Sequence, residues 1–390
     1  MTIVLHQRAA RGYDRAMVPP KPRRATIPGA VLAFVLALFC AAGNLLAWSY
    51  KEHILFTRLA VLRLLEDPAT PADMKAWLGQ ATGELPSLEQ NEQFFMTRRV
   101  GRIPVGYTDL IYRACVPDIE AENRSAPEVE PFKVKERMLH FIDLELLWPD
   151  QSRRCYRHDL SNKPRPQDIP RNLDDPRLVQ AGMLPHRVEQ CYRELVAAIR
   201  AGRLHAPAAD LQQKYQTATY WAGYLSHYLA DNTQPHHATV DYKSQSYFAN
   251  RANAPNIHAE MEYRMCDDEH EQFPDLRQEY WQMLLKQLQE FEDPIQSEDP
   301  WQATADVSLR SYDALPLIGL AAMHAAGQAG TPDHPTGQIS GAFDTRAFFR
   351  FTGQYMGREM SVLEMKAIQS AWAIRRIERV LRQAWLEAHK

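Results

Sequence analysis

Apolar residues recur at three- and four-residue spacing through most of this chain, and no run alternates long enough to suggest a sheet. The segment 54–66 (Ile-Leu-Phe-Thr-Arg-Leu-Ala-Val-Leu-Arg-Leu-Leu-Glu) predicts an amphipathic helix stopped by Asp67-Pro68. A second helix is expected over 71–78, with Thr70 as its N-cap. The same periodicity predicts helices over 188–201, 211–231, 276–291 and 360–388. Segments 116–137 and 159–187 are rich in Pro, Asn and Asp, and 331–341 in Gly and Pro; these are expected as loops. The pattern therefore predicts an all-α fold, and it contains no internal repeat.

One stretch departs from the amphipathic pattern. Residues 30–47 are apolar and small, follow Lys21, Arg23 and Arg24, and end on Ala47. A basic flank, an apolar run and a small final residue describe a secretory signal peptide over 1–47, cleaved after Ala47. The expected location is then secreted or periplasmic. An uncleaved membrane anchor is the alternative, although 18 apolar residues barely suffice to span a bilayer. Cleavage would make Trp48 the N-terminus, and a freed α-amine with its own carbonyl can chelate a metal.

Composition changes this picture little. Hydrophobic content of 45% and charged content of 24% are ordinary for a globular chain. The signal region holds six Lys/Arg and one Asp, so the net charge of −3 becomes about −8 in the remainder. An acidic protein is a poor generic binder of polyanions, so any attraction for phosphate has to come from a local site. Without Cys40, four cysteines remain (Cys115, Cys155, Cys191 and Cys266), enough for two disulfides by three connectivities. None forms a C-x-x-C pair, which argues against a thiolate metal site.

The chemistry-bearing residues cluster. His227 with Asp231, and His258 with Glu262, are i, i+4 pairs, which on a helix share one face. His237 follows in Gln234-Pro-His-His237, after a Gln-Pro that breaks the first helix. Imidazole and carboxylate ligands without thiolate suit zinc at a hydrolytic site. By contrast His158, His186, His205, His324 and His334 lack such partners and are expected to be ordinary structural residues. Tyr50 and Glu52 are either solvated or form a cation site for a choline head group.

Taken in order, Trp48-x4-His53, His140-Phe-Ile-Asp143, His227-x3-Asp231, Gln234-Pro-His-His237 and His258-x3-Glu262 resemble the bacterial zinc-dependent phospholipases C and the fungal and plant zinc-dependent single-strand nucleases, over roughly residues 48–265. The resemblance implies a helical hydrolase domain over 48–295 around a three-zinc cleft, which leaves 296–390 as a C-terminal helical extension. It implies that Trp48, His53 and Asp231 hold one Zn2+, that His140, His227 and Asp231 hold a second, and that His237, His258 and Glu262 hold the third. Asp231 would bridge two ions. The family also has an upstream Asp that acts as ligand or general base. Asp118 is the candidate here, with Asp109 and Glu120 as alternatives, because the family's Trp-Ala-Asp context is absent.

Asp118 and Asp231 are thus the expected catalytic carboxylates. Phe141 is either core or substrate pocket; Asp143 orients His140, caps a turn or contacts substrate. The implied activity is phosphodiester hydrolysis by a zinc-bound hydroxide. A phospholipase C is the first expectation, favoured by Glu262 as last ligand. A single-strand nuclease or 3′-nucleotidase is the second, favoured by the short Trp48–His53 spacing, and a non-catalytic zinc-bound binding protein is the third. The partners are then a phospholipid or a single-stranded nucleic acid, and the chain is expected as a monomer with no stable protein partner.

Overall fold

A computed structural model describes residues 48–97, 109–148, 165–205, 217–267, 273–336 and 342–390, with a few single positions between them. The expected signal peptide lies outside the described residues. What is described is all-α apart from two short hairpins. The helices are α1 (Tyr50–Glu66), α2 (Ala72–Thr82), α3 (Leu88–Met96), α4 (Asp109–Arg113), α5 (Val116–Glu122), α6 (Leu178–Ala181), α7 (Leu184–Arg200), α8 (Ala218–Asp231), α9 (Ile257–Ala259), α10 (Pro274–Glu290), α11 (Pro300–Tyr312), α12 (Leu315–Ala325), α13 (Thr345–Arg350) and α14 (Val362–Ala388). Among the described residues no helix is long and apolar enough to cross a membrane.

Several elements differ from expectation for local reasons. Helix α5 replaces the start of the predicted 116–137 loop: Pro117 lies in its first turn, where a missing N–H costs nothing, and Asp118 complements the helix dipole there. Helix α7 begins four residues earlier than 188, again with a proline, Pro185, in its first turn. Thr70 does not cap α2; Pro71 precedes that helix, and the Thr70 hydroxyl instead accepts a hydrogen bond from Arg382 at 3.3 Å. Strand β3 (Thr352–Tyr355) pairs antiparallel with β4 (Arg358–Ser361) around Met356 and Gly357, both at positive φ, in a hairpin too short for its alternation to show. A smaller hairpin, β1 (Ala329–Gly330) with β2 (Pro335–Thr336), takes up the start of the 331–341 segment expected as a loop.

Helix α8 is the axis of the molecule. Thirteen of its fourteen residues are buried, and it packs against α7, α4, α14 and α1. A helix apolar nearly all round belongs inside a core. Gly223 permits its close approach to α4: a Cβ there would lie 2.3 Å from Arg113 Cβ and 2.6 Å from the Leu110 carbonyl oxygen. The long α14 packs on α10, α1, α8 and α7, and Trp385 stacks on Trp77 of α2 with ring centroids 5.1 Å apart. The described residues from 48 to 390 form one compact unit, so the C-terminal helices share the core that carries the ligand candidates.

Cys115, Cys191 and Cys266 are buried free thiols, so the two disulfides considered from the sequence do not form; Cys155 lies outside the described residues. Cys266 donates to Glu52 and Cys115 to the Tyr50 carbonyl, each thiol acting as a small interior donor.

Candidate metal centre

Six segments bring their side chains to one place. His53 comes from the first turn of α1, whose N-cap Ser49 accepts the Glu52 N–H. Asp118 comes from the first turn of α5. His140 follows a 3-10 turn, Glu136–Leu139, whose buried Glu136 is held by Arg187 at 3.1 Å and by the Tyr228 hydroxyl. His227 and Asp231 share one face of α8. His237 sits in a 3-10 turn, Pro235–Ala238, and the Ile142 N–H donates to its carbonyl at 2.9 Å, which ties that turn to the His140 loop. His258 and Glu262 straddle α9 and a π-helical turn, Glu260–Arg264, a distortion that often marks functional positions.

Asp231 is the hub. Its Oδ2 lies 3.0 Å from His140 Nδ1 and 3.1 Å from His227 Nε2, and its Oδ1 lies 3.4 Å from His53 Nε2. Asp118 stands behind the same three imidazoles at 3.6–3.8 Å. On the neighbouring flank Glu262 meets His258, with His237 Nε2 at 3.9 Å. His237 Nδ1, 4.0 Å from Asp231, links the two halves. Three groups can each offer ligand atoms to one ion: His53, His227 and Asp231; Asp118, His140 and His227; and His237, His258 and Glu262. Asp118 therefore joins His140 and His227. Glu120 is in none of these groups, and the Asp109 side chain lies outside the described residues.

The donor atoms suit cations. All eight side chains are buried. Neither ring nitrogen of His53 makes a hydrogen bond, and neither do His140 Nε2, His258 Nε2 and Asp231 Oδ1; buried polar atoms left this way are costly unless something binds them. Burial and the neighbouring His227 lower the His53 pKa to about 3, and burial with His237 and His236 holds His258 well below the usual imidazole range. Both imidazoles are therefore neutral at pH 7 and keep the lone pairs that ligation needs. Burial opposes ionisation of Asp231, but the neighbouring His227 and the hydrogen bond with His140 at 3.0 Å hold it well below the ordinary carboxylate range. Burial and the nearby carboxylates push Glu262 the other way, well up, against the bond donated by Gln234 at 2.9 Å. A bound cation would offset that excess of buried negative charge.

Outer contacts fix the ring orientations. His227 Nδ1 bonds the Ala114 carbonyl at 2.9 Å and His237 Nδ1 the His140 carbonyl at 2.6 Å, which leaves each Nε2 facing the cluster. Gln234 caps its turn by accepting the His236 N–H at 2.8 Å while it holds Glu262. These supports were not read from the sequence; for Gln234, membership of the Gln-Pro-His-His motif was the only signal.

Trp48 is fully buried beside the cluster. Its indole donates to the Ala230 carbonyl at 2.9 Å, one residue before Asp231, and its ring meets Phe56 edge-on. Phe141 and Asp143 line a pocket of about 220 Å3 with His140, His237 and His258 on its inner side. His236 also lines it, and Arg137, Val240 and Tyr242, which the sequence did not single out, complete its wall. Gly182, at φ +87°, lets the chain pass under Phe141, since a Cβ there would lie 2.3 Å from the Phe141 carbonyl oxygen. Burial and Glu145 raise the Asp143 pKa well above the usual range. Glu52 is neither solvated nor open to a choline group, because it is fully buried and paired with Lys366 at 2.7 Å.

Comparison with known proteins returns no match: no family model, no curated protein and no solved structure is similar to this chain.

Proposed function

We propose that this chain is an exported zinc-dependent phosphodiester hydrolase. The observation that carries the reading is the convergence of three cation-capable groups, two of which share His227 while the third approaches Asp231 through His237, behind a pocket lined by His140, His237 and His258. Oxygen and imidazole donors without thiolate favour zinc, and three groups favour three ions. Zinc, when bound, supplies Lewis acidity and makes water nucleophilic near neutral pH.

The rest is the work of the chain. Asp231 and Asp118 would offset closely spaced positive charge from within a dry interior, with Asp118, 3.6 Å from the pocket-lining His140, serving as ligand or general base. Imidazoles from His53, His140, His227, His237 and His258 would hold the ions in place. Arg137, exposed at the pocket wall, meets the anionic substrate. Chelation by Trp48 rests on removal of residues 1–47, so N-terminal mass spectrometry of the exported protein is expected to begin at Trp48.

A phospholipid is the first substrate reading, because Phe141 and the 43% exposed Val240 give the pocket an apolar wall. A single-stranded nucleic acid is the second, because the Phe141 and Tyr242 rings lie in the same pocket as Asp143 and could stack on bases there. The deciding experiment is turnover of phosphatidylcholine and of single-stranded DNA by the purified protein, with and without chelator. Hydrolysis of one, lost on chelation and restored by zinc, is expected. Failure on both by zinc-loaded protein would leave only a non-catalytic metal-binding protein.

A further inference from the structure

Lys366 is fully buried on the C-terminal helix α14. Its ammonium touches three segments that carry ligand candidates. It pairs with Glu52 Oε1 at 2.7 Å, next to His53. It donates to the Met261 carbonyl at 2.5 Å, next to Glu262 in the π-helical turn. It also lies 4.3 Å from the centroid of the Trp48 ring, whose indole N–H grips the carbonyl preceding Asp231. The Glu52 carboxylate is held in turn by the Cys266 thiol at 3.3 Å, and Lys51 donates to the Cys266 carbonyl at 2.8 Å. A cation this deep is expensive to desolvate, and removing one partner of a buried pair is more costly than neutralising both. Its contacts fall on the segments that place Trp48, His53 and Glu262 relative to one another.

We propose that Lys366 is a positioning residue of the metal centre, holding the Trp48–His53 segment and the His258–Glu262 turn in register so that both reach the cations. The C-terminal helices are on this view a structural part of the site. The inference rests on the metal-centre reading and reaches residues that the sequence motifs do not touch.

The test uses Lys366→Met/Glu52→Gln, which removes both charges while keeping side-chain volume. Arg376→Met serves as control: it breaks another buried pair of the same helix, Arg376–Asp293 at 3.0 Å, whose partner residues are not among the ligand candidates. Metal-free proteins are titrated with zinc, and the Co2+-loaded forms are compared by visible absorption. The double variant is expected to fold, to bind zinc about 10–100-fold more weakly in at least one step, as outer-contact changes do, and to give an altered Co2+ spectrum. The control is expected to lower the melting temperature and leave both readouts unchanged. A folded double variant with unmutated zinc affinity and Co2+ spectrum overturns the proposal. If the double variant does not fold, Lys366→Arg decides, since it keeps the charge of the pair and shifts its donor atoms: weaker zinc binding with an altered Co2+ spectrum supports the role, and unchanged binding and spectrum overturn it. If the unmutated protein binds no metal, the metal-centre reading itself falls, which is a separate result.

Discussion

Replacing Asp231 by Asn tests the centre at its hub. Asn keeps the volume and one acceptor oxygen, so the packing of α8 is retained, but the negative charge between the imidazoles is lost. In the folded chain that carboxylate lies 3.0 Å from His140 Nδ1, 3.1 Å from His227 Nε2 and 3.4 Å from His53 Nε2, so any ion held by those nitrogens sits within direct reach of it. A unit charge about 4 Å from another contributes roughly 4 kcal/mol at an effective dielectric of 20. At about 1.4 kcal/mol per tenfold, that is on the order of a thousandfold in affinity for each unit of cation charge. At least one metal per chain should be missing from Asp231→Asn after purification without chelator. Turnover should fall about 100-fold or more, as when metal catalysis is disabled. Plasma mass spectrometry of metal per chain, beside a rate measurement, reads both effects. His334→Ala, on an exposed turn, serves as the silent control. Full metal occupancy with near-normal turnover in Asp231→Asn would refute the hub assignment and the shared-carboxylate centre with it.

Two further outcomes follow from the same geometry. Gly223→Ala places a methyl 2.3 Å from Arg113 Cβ and should cost about 1–3 kcal/mol by overpacking, while also slackening the Ala114–His227 bond across that helix contact; calorimetry showing unchanged stability would sink the close-approach argument. In metal-free protein the His53 pKa, lowered by burial and His227 to about 3 against 6.5 for the free side chain, means that the unfolded chain binds the extra proton between those values, so stability falls as pH falls through that window. His53 alone contributes about 2 kcal/mol of loss at pH 5. His237 and His258 act in the same direction, and Asp231, whose depressed pKa adds loss below its unfolded value, extends it; the raised Glu262 opposes them. Denaturant melts at pH 7.5, 6 and 5 should show the decline, and stability that holds or rises on acidification to pH 5 would contradict it.

The sequence made the helical class and most ligand candidates legible because both follow a fixed period. The three-to-four-residue rhythm marks α1, α8, α10 and α14, and the His-x3-acid spacing marks His227–Asp231 and His258–Glu262. Helix α5 was hidden because Pro117 reads as a breaker when its position in a first turn is unknown. The supports of the site were hidden for another reason. Ala114 and His140 act through backbone carbonyls, which no side-chain pattern reports, and Lys366 acts across more than 300 positions from Glu52. Glu52 was misread as surface-facing because nothing local to it betrays a partner so remote.

The pocket touches the centre on one flank only. His140, His237 and His258 line it, whereas His53, Asp118, His227 and Asp231 are at most 1% exposed and do not. On the proposed metal-centre reading, ions would therefore enter and leave past His140, His237 and His258. An ion held by His237, His258 and Glu262 would exchange first with the bulk, and one beside His53 would depart only after local opening of α1 or passage through the outer positions. Loading would then be a history-dependent process, in which an inner ion is acquired as the chain folds and afterwards turns over at the pace of that opening.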